Sequence, residues 1–123
     1  MTIKYFMDYI RESDETYEKL VTNFMYELEE KYPVTLFMYY SKFGKVIILS
    51  QIVINDDDRN QGIGTQVMEE ICDFADENNL PIGLTPASDY GGNVNRLKKF
   101  YKNFGFEKYK GYRFKQSMIR KPN

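Results

Sequence analysis

A short loop near the centre of the chain has the residue types and spacing of an anion-binding turn. It joins an apolar run, Val46–Ile54, to an amphipathic run, and its sequence is Arg59-Asn60-Gln61-Gly62-Ile63-Gly64. A strand that turns directly into a helix leaves the first helical N–H groups unpaired, and the helix dipole adds positive potential there. Such a corner binds phosphates, and its glycines let the backbone approach a ligand closely.

Two familiar phosphate-binding loops do not fit this segment. The P-loop needs Gly-Lys-Ser/Thr, whereas Gly64 is followed by Thr65 and Gln66. The dinucleotide fingerprint needs a third small residue, and that position is Val67. Turn chemistry alone is the alternative explanation of the two glycines.

The loop lies within a regular succession of predicted elements. Ser13 is the predicted N-cap of a first helix that ends before Pro33, and residues 2–10 form either a short strand or a short helix. The remaining pattern predicts strands at 34–40, 46–54 and 80–85 and a helix from 62 to 77. A further helix is predicted to start at its cap, Asn93, and to end at Phe104. A final hairpin would pair 106–109 with 112–119 around Lys110-Gly111. This order predicts a mixed α/β fold, mostly antiparallel with one parallel strand pair and flanking helices.

Composition limits the chemistry that the chain can perform. Its 123 residues have room for one domain, and its net charge of −1 implies no whole-chain attraction to nucleic acid or membrane. Residues 96–123 nevertheless carry 10 basic and 1 acidic side chains. Histidine is absent and Cys72 is the single cysteine, which excludes Ser-His-Asp chemistry and an intrachain disulfide and predicts no metal. Without a long apolar segment or signal-peptide core, we expect a cytoplasmic protein.

Two motifs resemble those of the GCN5-related N-acetyltransferase (GNAT) family. Arg59-x-x-Gly62-x-Gly64, five residues after the aliphatic Ile54, resembles the pyrophosphate loop of that family. Phe100-Tyr101-x-x-x-Gly105-Phe106 resembles its C-terminal helix motif, in the same order and at a similar distance.

The resemblance implies an acyl-CoA N-acyltransferase fold with acetyl-CoA as co-substrate and without a metal. Residues 1–123 would form a single N-acetyltransferase domain, with 1–33 as a variable arm and 34–121 as the acetyl-CoA-binding core. Coenzyme A would lie in a wedge between two splayed parallel strands, 49–54 and 80–85. The implied cofactor-binding residues are Ile52, Val53, Ile54, Arg59, Asn60, Gln61, Gly62, Ile63, Gly64, Thr65 and Asn95.

The resemblance also implies a catalytic role for Tyr101, as the acid that protonates the departing thiolate. Its apolar spacing is equally typical of core packing. The general base stays open among Asp56, Asp57, Asp58, Asp89, Tyr90 and a water chain. The family's asparagine falls on Val94, so either Asn93 or Asn95 would replace it as a cap, or the helix would start with a different pitch.

Two functions from different classes follow. The first is an N-acetyltransferase whose acceptor is a primary amine, on a small molecule or a protein lysine. The second is a non-catalytic module that binds coenzyme A or a protein. Nucleic-acid binding is disfavoured, membrane binding is not expected, and the oligomeric state stays open, a dimer included. The short predicted final turn suggests an open acceptor face, and Gln61–Phe106 resembles small phage-encoded anti-CRISPR acetyltransferases that modify a lysine.

Overall fold

The computed structural model describes residues 3–54, 62–86 and 93–123, and for residues 3–13 it describes the backbone alone. Its elements follow one another in the predicted order. They are α1 Ile3–Lys31, β1 Val34–Ser41, β2 Val46–Ile54, α2 Ile63–Glu77, β3 Ile82–Leu84, α3 Val94–Lys102, β4 Glu107–Lys108 and β5 Met118–Arg120.

The strands form one sheet in the order β1-β2-β3-β5-β4. Neighbouring strands pair antiparallel except β2 and β3, which pair parallel. The predicted mixed α/β fold, with a mostly antiparallel sheet and flanking helices, is therefore confirmed. β3 is shorter than the predicted strand at 80–85, because Leu80 and Pro81 complete the turn after α2.

The first helix begins earlier than predicted. α1 is continuous from Ile3, so Ser13 lies inside it and the prediction of Ser13 as an N-cap was wrong. The apolar period explains the difference, because Ile3, Ile10, Tyr17 and Phe24 follow one another at seven-residue intervals. Extending a helix by one residue is also easier than nucleating a new one. Its end just before Pro33 agrees with the prediction.

One face of the sheet packs against the helices and encloses the core. α1 contacts β1 through Tyr17 and Tyr40, whose ring centroids lie 5.4 Å apart. α1 also stacks on α2 through Phe24 and Phe74, with a centroid separation of 4.2 Å. Alternate residues of β1 point into this core, namely Val34, Leu36, Met38 and Tyr40.

The segment between β4 and β5 covers part of the opposite face. The predicted tight turn at Lys110-Gly111 was wrong, because the connection runs from Tyr109 to Ser117. Tyr109 stacks on Phe114 at 4.1 Å, and Phe114 lies directly over Gly83 of β3, where a Cβ would be only 2.8 Å from its ring. These aromatic residues pack within the loop instead of alternating along two strands. The expectation of an open acceptor face rested on a very short final turn, and it therefore no longer has that support.

A buried ion pair ties β5 to α2. Both terminal nitrogens of Arg120 donate to the Asp76 carboxylate, at 2.8 and 3.0 Å, and its Nε donates to the Phe104 carbonyl at 2.7 Å. The Arg120 guanidinium holds the pKa of Asp76 below its ordinary value of 3.8. Paired in this way, Arg120 fixes the C-terminal strand against α2 and against the turn that contains Phe104.

Replacing Arg120 by alanine should lower the free energy of unfolding by about 2–3 kcal/mol, because Asp76 would lose its partner in a largely buried place. Urea unfolding followed by circular dichroism measures this. The control is Lys121→Ala, whose 3.7 Å pair with Glu107 is exposed, so it should change stability by less than about 0.5 kcal/mol. Since the pKa of Asp76 is lowered on folding, the wild-type advantage should persist above pH 4 and shrink as the pH falls further. Equal stabilities of the two variants would contradict this role of Arg120.

Candidate active site

The start of α2 presents unpaired backbone amides. Gly62 precedes the helix with φ 74° and ψ 10°, a left-handed conformation that favours glycine, and its carbonyl accepts from Gln66 at 3.1 Å. No side chain caps this end and no acidic residue lies in the first turn. Among the described residues nothing accepts a hydrogen bond from the N–H groups of Ile63, Gly64 or Thr65. These amides can therefore bind an anion.

The two glycines of the loop meet different requirements. A Cβ on Gly62 would have none of the described residues within 4 Å, so these residues leave open space in front of it. A Cβ on Gly64 would lie 3.2 Å from Ile54 Cδ1 and 3.9 Å from the Phe100 ring. Gly64 thus lets the end of β2, the start of α2 and the side of α3 approach one another, while Gly62 leaves room for a ligand.

A bulge in β2 lies where the parallel strands separate. Leu49 pairs with Met38 and Gln51 with Phe37, so Ser50 has no partner on β1. On the other side, β2 pairs with β3 only at Ile47–Ile82 and Ile48–Gly83. Because a bulge bends its strand, β2 leaves β3 at this point. The parallel pairing of the described residues thus ends at Ile48, and the rest of β2, to Ile54, is the segment that was predicted to splay from β3.

The end of α3 places Tyr101 beside this junction. The ring centroids of Tyr101 and Phe100 lie 5.4 Å apart. Phe100 in turn lies next to Gly64. Phe106 N–H donates to the Tyr101 carbonyl and Gly105 N–H to that of Lys102, with Gly105 at φ 94°. This is a Schellman helix end, and the 5.6 Å contact between Tyr101 and Phe106 is its usual apolar clasp. The Tyr-x-x-x-Gly-Phe spacing therefore has a structural explanation of its own.

Burial affects the acidity of Tyr101. Its residue exposure is only 7%, and desolvation raises the pKa of the phenol above the ordinary value of 10.0. No described group forms a hydrogen bond with its hydroxyl. The phenol therefore stays protonated at neutral pH and keeps a proton that it could donate.

The family can now be stated. A family model described as an acetyltransferase (GNAT) domain matches residues 15–108, which include the amide corner, the splayed strands and α3. The chain belongs to the GNAT acetyltransferase family. The resemblance of its two motifs is thereby confirmed.

A solved structure shares the GNAT fold of this chain. The crystal structure of the anti-CRISPR protein AcrVA5 is similar with a TM-score of 0.54 and 24% identity, over 68% of this chain and 85% of that one. At this identity the likeness establishes the fold. No curated protein matches the chain.

The described residues contain part of the predicted GNAT site. Gly62, Ile63, Gly64 and Thr65 form the amide corner, and Ile52, Val53 and Ile54 lie on the splayed part of β2, half-buried. Arg59, Asn60 and Gln61 lie outside the described residues. So do the candidate bases Asp56, Asp57, Asp58, Asp89 and Tyr90.

The question of which asparagine caps α3 has an answer. The Asn93 side chain accepts from the N–H groups of Asn95 and Arg96, at 2.9 and 3.2 Å. Asn95 lies in the first turn with an exposed side chain. Its predicted contact with the cofactor stays a prediction.

Alanine substitutions can distinguish the capping role of Asn93 from the exposed position of Asn95. Asn93→Ala should lower the free energy of unfolding by about 1 kcal/mol, since two helical amides lose their acceptor. Asn95→Ala should leave stability within about 0.5 kcal/mol of wild type, because its side chain is exposed. Chemical unfolding measures both, and a larger loss in Asn95→Ala would contradict the assignment.

Cys72 is a free cysteine that lies buried in the core. Burial raises the pKa of the Cys72 thiol to about 11, which suits the predicted packing role. Among the described side chains, those of residues 14–54, 62–86 and 93–123, no group of three or more acidic, histidine or cysteine residues is arranged to hold a metal ion. In the same ranges, no helix is long and apolar enough to cross a membrane.

Sequence reasoning missed two features of the site. Ser50 lies within the predicted wedge strand 49–54, but its position as a bulge was not recognised. Phe100 was assigned only to the C-terminal helix motif, and its contact with the Gly64 position was not predicted. Gly64 itself was the available signal for that contact, because a glycine inside a helical pattern often marks a close approach.

Proposed function

We propose that this protein is an acetyl-CoA-dependent N-acetyltransferase that moves the acetyl group to a primary amine, with a protein lysine as the acceptor. The observation that supports it most is the group of open amides at Ile63–Thr65 beside the point where β2 leaves β3. Residues 34–121 would form the core that binds acetyl-CoA, and residues 1–33 the arm.

The described residues fit the chemistry of coenzyme A. The amides of Ile63, Gly64 and Thr65 would bind its pyrophosphate, next to the open space at Gly62, with Arg59, Asn60 and Gln61 in support. A charge-assisted hydrogen bond of this kind contributes about 1.5–3 kcal/mol. The main chain of Ile52–Ile54 would bind the pantetheine amides, as an extended ligand binds a sheet edge. Asn95 would contribute from the start of α3.

In the transfer step, the amine nitrogen attacks the thioester carbonyl carbon and the carbon–sulfur bond breaks. Tyr101 donates its phenolic proton to the departing thiolate and regains one from solvent, while the nitrogen loses a proton to a base. The raised pKa of Tyr101 keeps that proton available at neutral pH. The base is essential, because a free lysine amine is neutral in only about one molecule in a few thousand at pH 7.

A non-catalytic module that binds coenzyme A or a protein is the second candidate. One observation favours it, because the Schellman end of α3 and the burial of Tyr101 explain this tyrosine without any chemistry. Only the acetyltransferase would release the free thiol of coenzyme A from acetyl-CoA, whereas the non-catalytic module would not.

A thiol-release assay tests the proposal. Wild-type protein should release free coenzyme A from acetyl-CoA only when an amine is added, and mass spectrometry should find the acetyl group on that amine. The assay should include lysine peptides and small amines. Saturable acetyl-CoA binding without release for any acceptor would favour the non-catalytic module.

A further inference from the structure

The β4–β5 connection, Tyr109–Ser117, is a loop that its own side chains hold in place. Its Tyr109 and Phe114 rings are nearly parallel, with an interplanar angle of 14°, and the Tyr109 hydroxyl accepts from the Arg113 N–H at 3.0 Å. A side chain at Gly111 would collide with the Tyr109 ring. These contacts fix the inner part of the loop and turn its apex outward. The loop begins just after residue 108, the last residue of the family match.

The apex presents an aromatic side chain that packs against nothing. Tyr112 is fully exposed, and so is Phe43 in the turn between β1 and β2. The two loops touch, because the Arg113 guanidinium donates to the Gly44 carbonyl, next to Phe43. Two fully exposed aromatic side chains on touching loops do not stabilise the fold. They resemble the aromatic anchors of protein interfaces.

The charge around these aromatics has one sign. Lys110, Arg113 and Lys115 flank Tyr112, and the sequence has no acidic residue between Lys108 and its end at Asn123. Within the described part of the chain, Lys110 and Lys115 form no ion pair. We call Phe43, Tyr112, Lys110, Arg113 and Lys115 the loop face. Its charge is complementary to an acidic partner.

The loop face lies next to the splayed strands. Phe114 covers Gly83, and Gly83 pairs with Ile48, the last parallel pair before β2 separates from β3 at Leu49. A segment that extends from the loop face along Phe114 would therefore reach the place where the proposed acetyl transfer occurs.

We propose that the loop face binds an acidic protein segment and presents a lysine of that segment to the splayed strands. This inference rests on the proposed function for its acceptor, while the binding itself does not depend on catalysis. Phe43 and Tyr112 would be the anchors, and Lys110, Arg113 and Lys115 would pair with the carboxylates.

The charges favour an acidic protein over nucleic acid. Nucleic-acid affinity depends on the neutralisation of many phosphates, and the loop face offers three cations. Residues 1–95 carry 17 acidic and 7 basic side chains, which would repel a long polyanion. Lys42 and Lys45, beside Phe43, already pair with Glu18 and Asp14.

Two labelled peptides of equal length and one central lysine provide the test. One has aspartate and glutamate on both sides of the lysine, and the other has asparagine and glutamine. Fluorescence anisotropy without acetyl-CoA should show the acidic peptide binding about tenfold more tightly. Lys110→Glu with Lys115→Glu should remove that difference, whereas Phe43→Ala with Tyr112→Ala should weaken the binding of both peptides.

Matched controls lie on α1. Lys19→Glu replaces a lysine by glutamate, as the loop-face variants do, at an exposed position outside the loop face. Tyr26→Ala removes an aromatic side chain that is 56% exposed. Both should leave peptide binding unchanged, and thermal melts should confirm that every variant is folded.

The outcomes separate this inference from the proposed function. Preferential binding of the acidic peptide without any acetylation would support the loop face and contradict the proposed transfer. Equal binding and equal acetylation of both peptides would overturn the loop face and leave the transfer standing. Tighter binding of a single-stranded oligonucleotide, lost in the same variants, would also overturn the acidic-protein assignment.

Discussion

Replacing Tyr101 by phenylalanine should lower the rate of acetyl transfer at saturating substrate by about 10²–10⁴-fold, the usual contribution of a general acid. The substitution removes one hydroxyl and keeps the ring that packs on Phe100 and Phe106. Stability and acetyl-CoA affinity should therefore stay unchanged. Steady-state thiol release gives the rate, and calorimetric titration gives the affinity.

Tyr17→Phe is the matched control, because this tyrosine also packs its ring against the core, at Tyr40. It should transfer acetyl at the wild-type rate. Desolvation raises the pKa of Tyr101, so ionisation of this phenol should not reduce the wild-type rate below about pH 10. A wild-type rate in Tyr101→Phe would show that Tyr101 serves only to complete the end of α3.

Replacing Gly62 by glutamate should weaken acetyl-CoA binding by more than about 100-fold. The side chain would enter the open space before the amides of Ile63–Thr65 and place a carboxylate where the pyrophosphate is proposed to bind. Losing two charge-assisted hydrogen bonds is enough for a change of this size. Calorimetric titration of the purified variant measures it.

Asn79→Glu provides the control at the other end of the same helix. Asn79 also has a left-handed backbone, with φ 55°, and its side chain is exposed. Both substitutions place a glutamate carboxylate on a left-handed residue at an end of α2, so they share the general effect of the added charge. Asn79→Glu should bind acetyl-CoA like wild type. An equal loss of binding in both variants would remove the support for the amide corner.

Local pattern was sufficient for most of the fold. The period of apolar residues located every helix and strand in the right order, and Pro33 and Asn93 marked a helix end and a helix start correctly. These signals act within a few residues, so the sequence carries them directly. Gly62 and Gly105 were also predictable, since both take the positive φ that favours glycine.

Features that depend on contacts between distant residues were not predictable in this way. The bulge at Ser50 is defined by its register against β1. The Tyr109–Ser117 loop alternates like two strands in sequence, yet Phe114 packs on Gly83, far along the chain. The start of α1 at Ile3 was missed because Ser13 followed by two acidic residues is also a good helix start.

The most direct measurement is a two-dimensional amide NMR spectrum of the protein titrated with acetyl-CoA. We expect saturable shifts of the Ile63, Gly64 and Thr65 amides, because their free N–H groups would gain acceptors. The Asn79 and Leu80 amides, at the far end of α2, should barely move, since they already donate to Asp76 and Ala75. Saturable binding that leaves the first three amides unshifted, or no binding at all, would contradict the proposed site.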